Sequence, residues 1–156
     1  PRVLHLDASG VFLFDADENA LQPVTYSDRL ERLNGPLSAV PTSSDAPASH
    51  CFVQDEPLFF EDIHHAEHFE NPATDLRQVA FLPLGDHGVF MFGTDRAAPF
   101  DEITKELADL LAATGEAALD RVARESEMRQ KDRELQQRNQ QLSSLNRINE
   151  TLREID

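Results

Sequence analysis

The sequence predicts an α+β fold, an antiparallel sheet of five to six strands with helices on its face and a long C-terminal helix. Short apolar runs bounded by turn residues alternate with polar loops over residues 1–99. From Phe100 onward there is no proline, and Gly115 is the only glycine. One helix of about 55 residues, roughly 80 Å long, is therefore expected. A domain of this size cannot bury such a helix, so we expect it to meet another helix or a neighbouring module.

The strands are predicted from apolar runs that end at polar or glycine-containing turns. They comprise residues 11–15, 21–27, 56–62, 78–84 and 89–94. Short turns join the first two strands and the last two, so each pair is predicted to form a hairpin. This order favours an antiparallel sheet over a doubly wound one.

The remaining segments of the first hundred residues are predicted as helices and loops. Residues 1–8 are expected to be the end of a helix, and residues 34–47, with three prolines, a loop. Asp45 is expected to cap a short helix over residues 46–53, with Pro47 in its first turn.

Asp101 is predicted to open the long helix, with Glu102 near its positive end. Further along, a heptad seam follows alternating three- and four-residue steps. Its positions are Met128, Lys131, Leu135, Arg138, Leu142, Leu145, Asn149 and Leu152. The polar residues at Lys131, Arg138 and Asn149 are expected to fix the register of the paired helices more than to stabilise their contact. We predict a parallel two-stranded coiled coil that forms a homodimer; the alternative is a solvated single helix that pairs only in a longer protein.

The first turns of the same helix carry a broader apolar face, which is predicted to pack partly on the sheet. The residues of this face are Ile103, Leu107, Leu110, Leu111, Ala118 and Val122.

The chain is strongly acidic, with 29 acidic residues, 14 basic residues and a net charge of −15. This charge disfavours direct binding to nucleic acid or to an anionic membrane surface. Only Lys105 and Lys131 are lysines. Many acidic residues with few lysines suit a cytoplasm at molar salt, where electrostatic interactions are screened within about 3 Å. A halophilic, haloarchaeal source is therefore predicted; the alternative is an ordinary acidic domain.

Other absences narrow the class of protein. No apolar stretch approaches the ~18 residues of a membrane span and no secretory signal is recognisable, so a cytoplasmic location is expected. One cysteine, Cys51, excludes an internal disulfide and a cysteine-based zinc site. The chain begins at Pro1 without a methionine and ends within a helical pattern, so it is expected to be a piece of a longer protein.

Four segments in order resemble a GAF domain, a sensing module related to PAS domains. Residues 11–24 are similar to its first hairpin, and 52–58 to its helix, Gly-Glu-Pro and strand step, with Asp55 where glycine is usual. Residues 79–94 resemble its diagnostic hairpin, and 100–111 its closing helix. The resemblance implies a GAF sensor domain over residues 1–123, followed by a coiled-coil signalling linker over 124–156.

The resemblance also implies a ligand cavity surrounded by aromatic residues. The residues assigned to it are Cys51, Phe60, His65, Phe69 and Phe81. Cys51 lies in a segment that superficially resembles a bilin attachment motif, but a free cysteine beside Phe52 is more often a small core residue. The cyclic-nucleotide motif of some GAF domains is absent, and no cofactor is predicted.

The tail, residues 142–156, resembles the linker of haloarchaeal bacterio-opsin activator-like regulators. Halobacterial transducer-like proteins and archaeal sensor kinases have similar parts. The resemblance implies a sensory input module that binds a small ligand or a neighbouring domain and acts on an output domain of the same chain. A ligand-free structural dimerisation domain, or the input domain of a sensor histidine kinase, is the alternative.

Residues 63–75 are predicted to be a loop with one helical turn and contain three histidines. The histidines His64, His65 and His68 lie with the acidic residues Glu61, Asp62 and Glu67. If the segment is helical, His64 and His68 share a face, and these two imidazoles and one carboxylate could meet a metal ion. The alternative, a hydrated surface loop, is favoured, and no metal site is assigned. The sequence has no nucleophile–base pattern and no glycine-rich phosphate loop, so this chain is not predicted to be an enzyme.

Overall fold

The computed structural model describes residues 8–65 and 74–154. One six-stranded antiparallel sheet has the order β3-β2-β1-β6-β5-β4. The strands are β1 (Ala8–Asp15), β2 (Ala20–Tyr26), β3 (Val40–Pro41), β4 (Leu58–Phe60), β5 (Val79–Pro83) and β6 (Gly88–Gly93). The helices are α1 (Asp28–Asn34), α2 (Pro47–Gln54) and α3 (Glu102–Glu154), with one 3₁₀ turn at Ile63–His65. The predicted α+β fold with a long C-terminal helix is confirmed.

Strand alternation gives the sheet two apolar faces. Phe12 is paired with Val89, and Phe81 with Met91, so these four side chains share one face. They belong to one buried cluster with residues of α1 and α2. We call this the core face.

The first turns of α3 lie on the opposite face of the sheet, which carries Leu82, Leu84 and Phe92, all buried. The Lys105 ammonium lies 5.5 Å from the centroid of the Phe59 ring. A Cβ added at Gly115 would lie 3.4 Å from Leu84 Cδ2. This part of α3 therefore contacts its own sheet.

The residues of α3 that are buried against the sheet are not the ones predicted. Ala108 and Ala112 are buried, whereas the expected apolar face is turned to solvent. The exposed fractions are Ile103 69%, Leu107 41%, Leu110 64%, Leu111 37% and Val122 62%, and Ala118 is also exposed. The prediction was wrong because this sheet face is already lined by large side chains, so only small helix residues allow close approach.

Several boundaries also differ from the predictions. Ala8 already belongs to β1 rather than to a helix, and residues 1–7 lie outside the described part. The helix α1 was not predicted, and β3 lies inside the expected loop. The cap of α2 is Ala46 rather than Asp45, without a capping side chain. Pro47 in the first turn lacks an N–H, so fewer donors there need a cap.

The helix α3 begins as predicted, since the Thr104 N–H donates to Asp101 Oδ1 at 2.6 Å. The described residues up to Glu116 form one compact unit, and those from Ala117 onward form a second. Every described residue from Asp120 to Glu154 is exposed. In the part of the chain that the structure describes, no helix is long and apolar enough to cross a membrane.

Candidate functional site

A cleft of about 750 Å³ opens between the core face of the sheet and the segment that joins α1 to α2. Phe12, Phe81 and Met91 from three neighbouring strands line it. The other lining residues are Arg32, Leu33, Asn34, Gly35, Pro36, Leu37, Ser38, Val40, Ala46, Pro47, Ala48 and Asp75. The volume falls in the range of small-molecule sites in proteins.

The end of α1 shapes one wall of the cleft. Ser27 Oγ accepts hydrogen bonds from the Leu30 N–H at 3.3 Å and from the Ser9 N–H at 3.0 Å, which ties the start of α1 to β1. Gly35 then ends the helix with a φ of 85°, and its N–H donates to the Glu31 carbonyl at 2.7 Å. A positive φ is easily adopted only by glycine, so the chain can turn here and run along the cleft.

Thr74 and Asp75, which come from a distant part of the chain, form hydrogen bonds with the same wall. The Asp75 N–H donates to the Leu33 carbonyl at 2.7 Å. The buried Thr74 hydroxyl lies 3.0 Å from Asn34 Oδ1 and donates to it. These bonds hold the polar rim of the cleft in place.

The cleft combines an apolar floor with a polar mouth. Its floor is apolar and buried, while Arg32, Ser38 and Asp75 lie exposed at its mouth. Among the described residues, no cysteine or histidine lines the cleft. The arrangement can enclose an apolar body and orient a polar end, and the lining residues that the structure describes include no nucleophile–base pair.

The predicted ligand residues are divided among different places. Phe81 lines the cleft, whereas Cys51 is buried in α2 and is not a lining residue. Phe60 and His65 lie on a separate groove with Phe59 and Ala98. Phe69 lies outside the described residues. The assignment of these residues to a ligand stays a prediction.

Cys51 is fully buried, and this burial, together with the nearby Asp55 carboxylate, raises the pKa of its thiol to about 12. The thiol is therefore protonated at neutral pH and is a poor nucleophile. This environment agrees with the expectation that Cys51 is a small core residue and not a bilin attachment site.

Two of the described histidines, His64 and His65, lie beside Asp62. Asp62 accepts a hydrogen bond from the His64 N–H at 3.1 Å and pairs with Arg77 at 3.4 Å. Desolvation opposes ionisation, but this hydrogen bond and the charges of Arg77, His65 and His64 hold the pKa of the Asp62 carboxyl below its ordinary value. His64 Nε2 contacts the Thr74 carbonyl oxygen at 2.9 Å. Among the described residues no group of three possible ligands could hold a metal, and Glu67 and His68 lie outside them.

The sequence did not reveal two parts of the cleft. Phe12 and Met91 were recognised only as strand residues. The alternation of side chains along the paired strands could have placed both on the same sheet face as Phe81, and therefore beside the cleft. The wall from Leu33 to Val40 follows from α1, whose start signal is Ser27 followed by the acidic Asp28 and Glu31.

The family model described as "GAF domain" matches residues 2–120. No curated protein matches the chain. Among solved structures, the GAF domain from a phosphoenolpyruvate-protein phosphotransferase of Coxiella burnetii has a TM-score of 0.67 and 15% identity, and the match covers 78% of this chain and 76% of that chain.

A domain of a putative two-component sensor histidine kinase from Sinorhizobium meliloti has a TM-score of 0.61 and 20% identity, with 79% and 85% covered. The free methionine-R-sulfoxide reductase of Neisseria meningitidis has a TM-score of 0.60 and 18% identity, with 72% and 66% covered. The fold is therefore shared by regulatory modules and by enzymes. Because the family model spans most of the sequence, the chain belongs to the GAF domain family.

Proposed function

We propose that this chain is a sensory GAF module that binds a small ligand in the cleft and passes the change to α3. The cleft itself is the observation that carries this proposal, because about 750 Å³ of space lies beside a largely apolar floor. The ligand is a small molecule with an apolar body for Phe12, Phe81 and Met91. Its polar end faces the mouth, where Arg32 offers hydrogen-bond donors and Asp75 acceptors.

The packing on the two faces of the sheet supports a route from the cleft to α3. Met91 lines the cleft, and the next residue, Phe92, points to the opposite face. The Phe92 ring packs edge-on against Phe100, with the centroids 6.2 Å apart. Phe100 directly precedes Asp101, whose side chain accepts the first capping hydrogen bond of α3. A ligand that moves β6 would therefore act on the start of the helix.

The output in this proposal is a parallel homodimer that is formed by the coiled coil of α3. Met128, Leu135, Leu142, Leu145 and Leu152 are between 56% and 67% exposed in the single chain, and Asn149 is exposed among them. A charged helix without a partner is marginally stable in water, so a partner helix is favoured. The coil joins this module to adjacent sensor or output domains of the same protein.

The parent in this proposal is a cytoplasmic signalling or transcription-regulatory protein of a halophilic archaeon. The acid excess and the low lysine content support it. An input domain of a sensor histidine kinase is the second candidate, favoured by the similarity to the Sinorhizobium meliloti domain. We do not propose thiol catalysis by this chain, because its single thiol is buried and protonated.

Native mass spectrometry of the chain purified from a halophilic host tests the ligand. A bound small molecule should be lost in Ser38→Trp, which obstructs the mouth of the cleft without changing the buried floor. Ser43→Trp is the matched control, because Ser43 is also exposed but does not line the cleft. A chain that carries no ligand and gains no thermal stability from a metabolite library would favour a purely structural dimerisation domain.

A further inference from the structure

The wall of the cleft that the end of α1 forms is held by residues from far along the chain. The Asp75 N–H donates to the Leu33 carbonyl at 2.7 Å. The Thr74 hydroxyl donates to Asn34 Oδ1 at 3.0 Å. Thr74 is not one of the lining residues and is only 3% exposed. The position of this wall therefore depends on what holds Thr74 in place.

The carbonyl group of Thr74 is bound by a histidine from another part of the chain. His64 Nε2 lies 2.9 Å from the Thr74 carbonyl oxygen. Because a carbonyl oxygen only accepts hydrogen bonds, Nε2 carries the proton and donates it. The Thr74 hydroxyl also accepts a hydrogen bond from the Leu76 N–H at 3.2 Å. Hydrogen bonds in series thus connect His64, through Thr74, to Asn34 at the cleft.

The backbone around His64 is itself fixed to the sheet and the core. Ile63 is fully buried in the core cluster, and its N–H donates to the Arg77 carbonyl at 2.6 Å. The His64 N–H donates to Asp62 Oδ1 at 3.1 Å, and the Arg77 guanidinium pairs with Asp62 at 3.4 Å. The imidazole of His64 therefore projects from a firmly held turn and can act as a fixed support for Thr74.

From these contacts we propose that His64 is a positioning residue of the cleft. Through the Thr74 carbonyl it fixes the wall that Leu33 and Asn34 form, and so sets how closely this wall approaches the apolar floor. His64 does not line the cleft and acts only through Thr74. The inference rests on the proposed function, because it assumes that the cleft binds a ligand, and it adds a residue outside the cleft on which affinity depends.

Two substitutions of His64 separate the hydrogen bond from the bulk of the side chain. The amide nitrogen of glutamine lies the same number of bonds from Cβ as Nε2, whereas that of asparagine lies one bond nearer. His64→Gln should therefore keep the bond to Thr74, and His64→Asn should lose it. His50→Asn is the matched control, because His50 is exposed on α2 and does not line the cleft.

Amide hydrogen exchange of the full chain tests the contact without any ligand. In His64→Asn, the amides of Asp75 and Leu76 should exchange about fivefold faster, as the loss of one hydrogen bond implies. The amides of β6, which is paired on both sides, should not change. His64→Gln and His50→Asn should exchange like the wild-type chain.

Fluorescence titration with anilinonaphthalene sulfonate measures the consequence for the cleft. This probe has apolar rings for the floor and one anionic group for Arg32. Its dissociation constant should rise about fivefold in His64→Asn, and should stay at the wild-type value in His64→Gln and His50→Asn. Ser38→Trp, which obstructs the mouth, should abolish binding and so shows that the probe occupies the cleft.

Unchanged exchange of the Asp75 and Leu76 amides in His64→Asn would overturn the inference. Equal acceleration in β6 would also overturn it, because His64 would then support only the stability of the whole domain. Faster local exchange with an unchanged dissociation constant would show that the cleft does not depend on this contact, which is again contrary to the inference. A wild-type chain that does not bind the probe would contradict the proposed ligand cleft, while the exchange rates alone would still decide whether His64 holds the wall.

Discussion

The Phe92 ring of β6 meets the Phe100 ring edge-on, with centroids 6.2 Å apart and an interplanar angle of 86°. Phe100 also contacts Phe59 of β4, with centroids 5.0 Å apart. Through these rings, the residue before the cap of α3 is fixed to two strands of the sheet. The start of the helix is thus coupled to the strand that carries Met91 into the cleft.

Phe100→Ala should lower the free energy of unfolding by about 1–3 kcal/mol, because a half-buried aromatic contact with two rings is lost. Chemical denaturation at molar salt measures it. Val24→Ala, at a side chain that is 52% exposed, is the control and should change stability little. A loss as small as that of the control would show that Phe100 does not anchor the helix.

Asp55→Gly should stabilise the domain by about 1 kcal/mol. Asp55 ends α2 with a φ of 54°, in the left-handed region that glycine adopts at much lower cost. The change also removes a negative charge from the negative end of the helix. Thermal unfolding measures this stabilisation. Asp45→Gly is the control, because it removes an acidic residue near the other end of α2. Destabilisation by Asp55→Gly would contradict this account of the turn.

The protonated state of Cys51 has a consequence for the dependence of stability on pH. Its folded pKa of about 12 lies above the ordinary value of 9.0. The folded state therefore holds the proton more tightly, and this stabilisation is complete below pH 9 and lost between pH 9 and about pH 12. Cys51→Ala should weaken the fall in the free energy of unfolding over that range.

Thiol labelling of folded protein at pH 8 provides the companion measurement. Cys51 should react far more slowly than the exposed thiol of Asp109→Cys, because its thiolate is scarce and its sulfur is buried. Equal rates would show that Cys51 is accessible and would reopen a role in ligand attachment.

Lys131→Leu combined with Arg138→Leu should tighten the proposed dimer about tenfold, because two charged layers of the predicted seam become apolar. Sedimentation equilibrium over a range of protein concentrations measures the dissociation constant. Arg133→Leu is the control, since Arg133 is exposed and lies outside the seam, at heptad position f when Met128 is at position a. No change in the double variant would show that Lys131 and Arg138 lie away from a helix–helix contact.

The strands were predictable because their apolar runs are short and end at turns, as residues 85–88 show between β5 and β6. The helix α1 was missed because it is only seven residues long, although Ser27 offered a cap. Periodicity showed that α3 has an apolar face but not which face meets the sheet. That choice depends on the bulk of Leu82, Leu84 and Phe92, which becomes relevant only once the strands are paired.

The cleft was harder to predict than the fold. Phe81, which the family resemblance assigned to a ligand cavity, lines the cleft, whereas Cys51 belongs to the core. The assignment of either residue to a ligand stays a prediction. Phe12, Met91 and Asp75 line the cleft from strands and a loop far apart in the sequence, and no local pattern predicts that these segments meet. Contacts of this kind depend on which strands pair and in which register, because a slip of one residue moves every side chain of a strand to the other face of the sheet.

The central claim is that α3 joins two copies of this chain, and sedimentation equilibrium of the wild-type chain at molar salt tests it most directly. We predict a mass of twice the 17.5 kDa of one chain, with dissociation only on dilution. A mass of one chain at every concentration would contradict the claim.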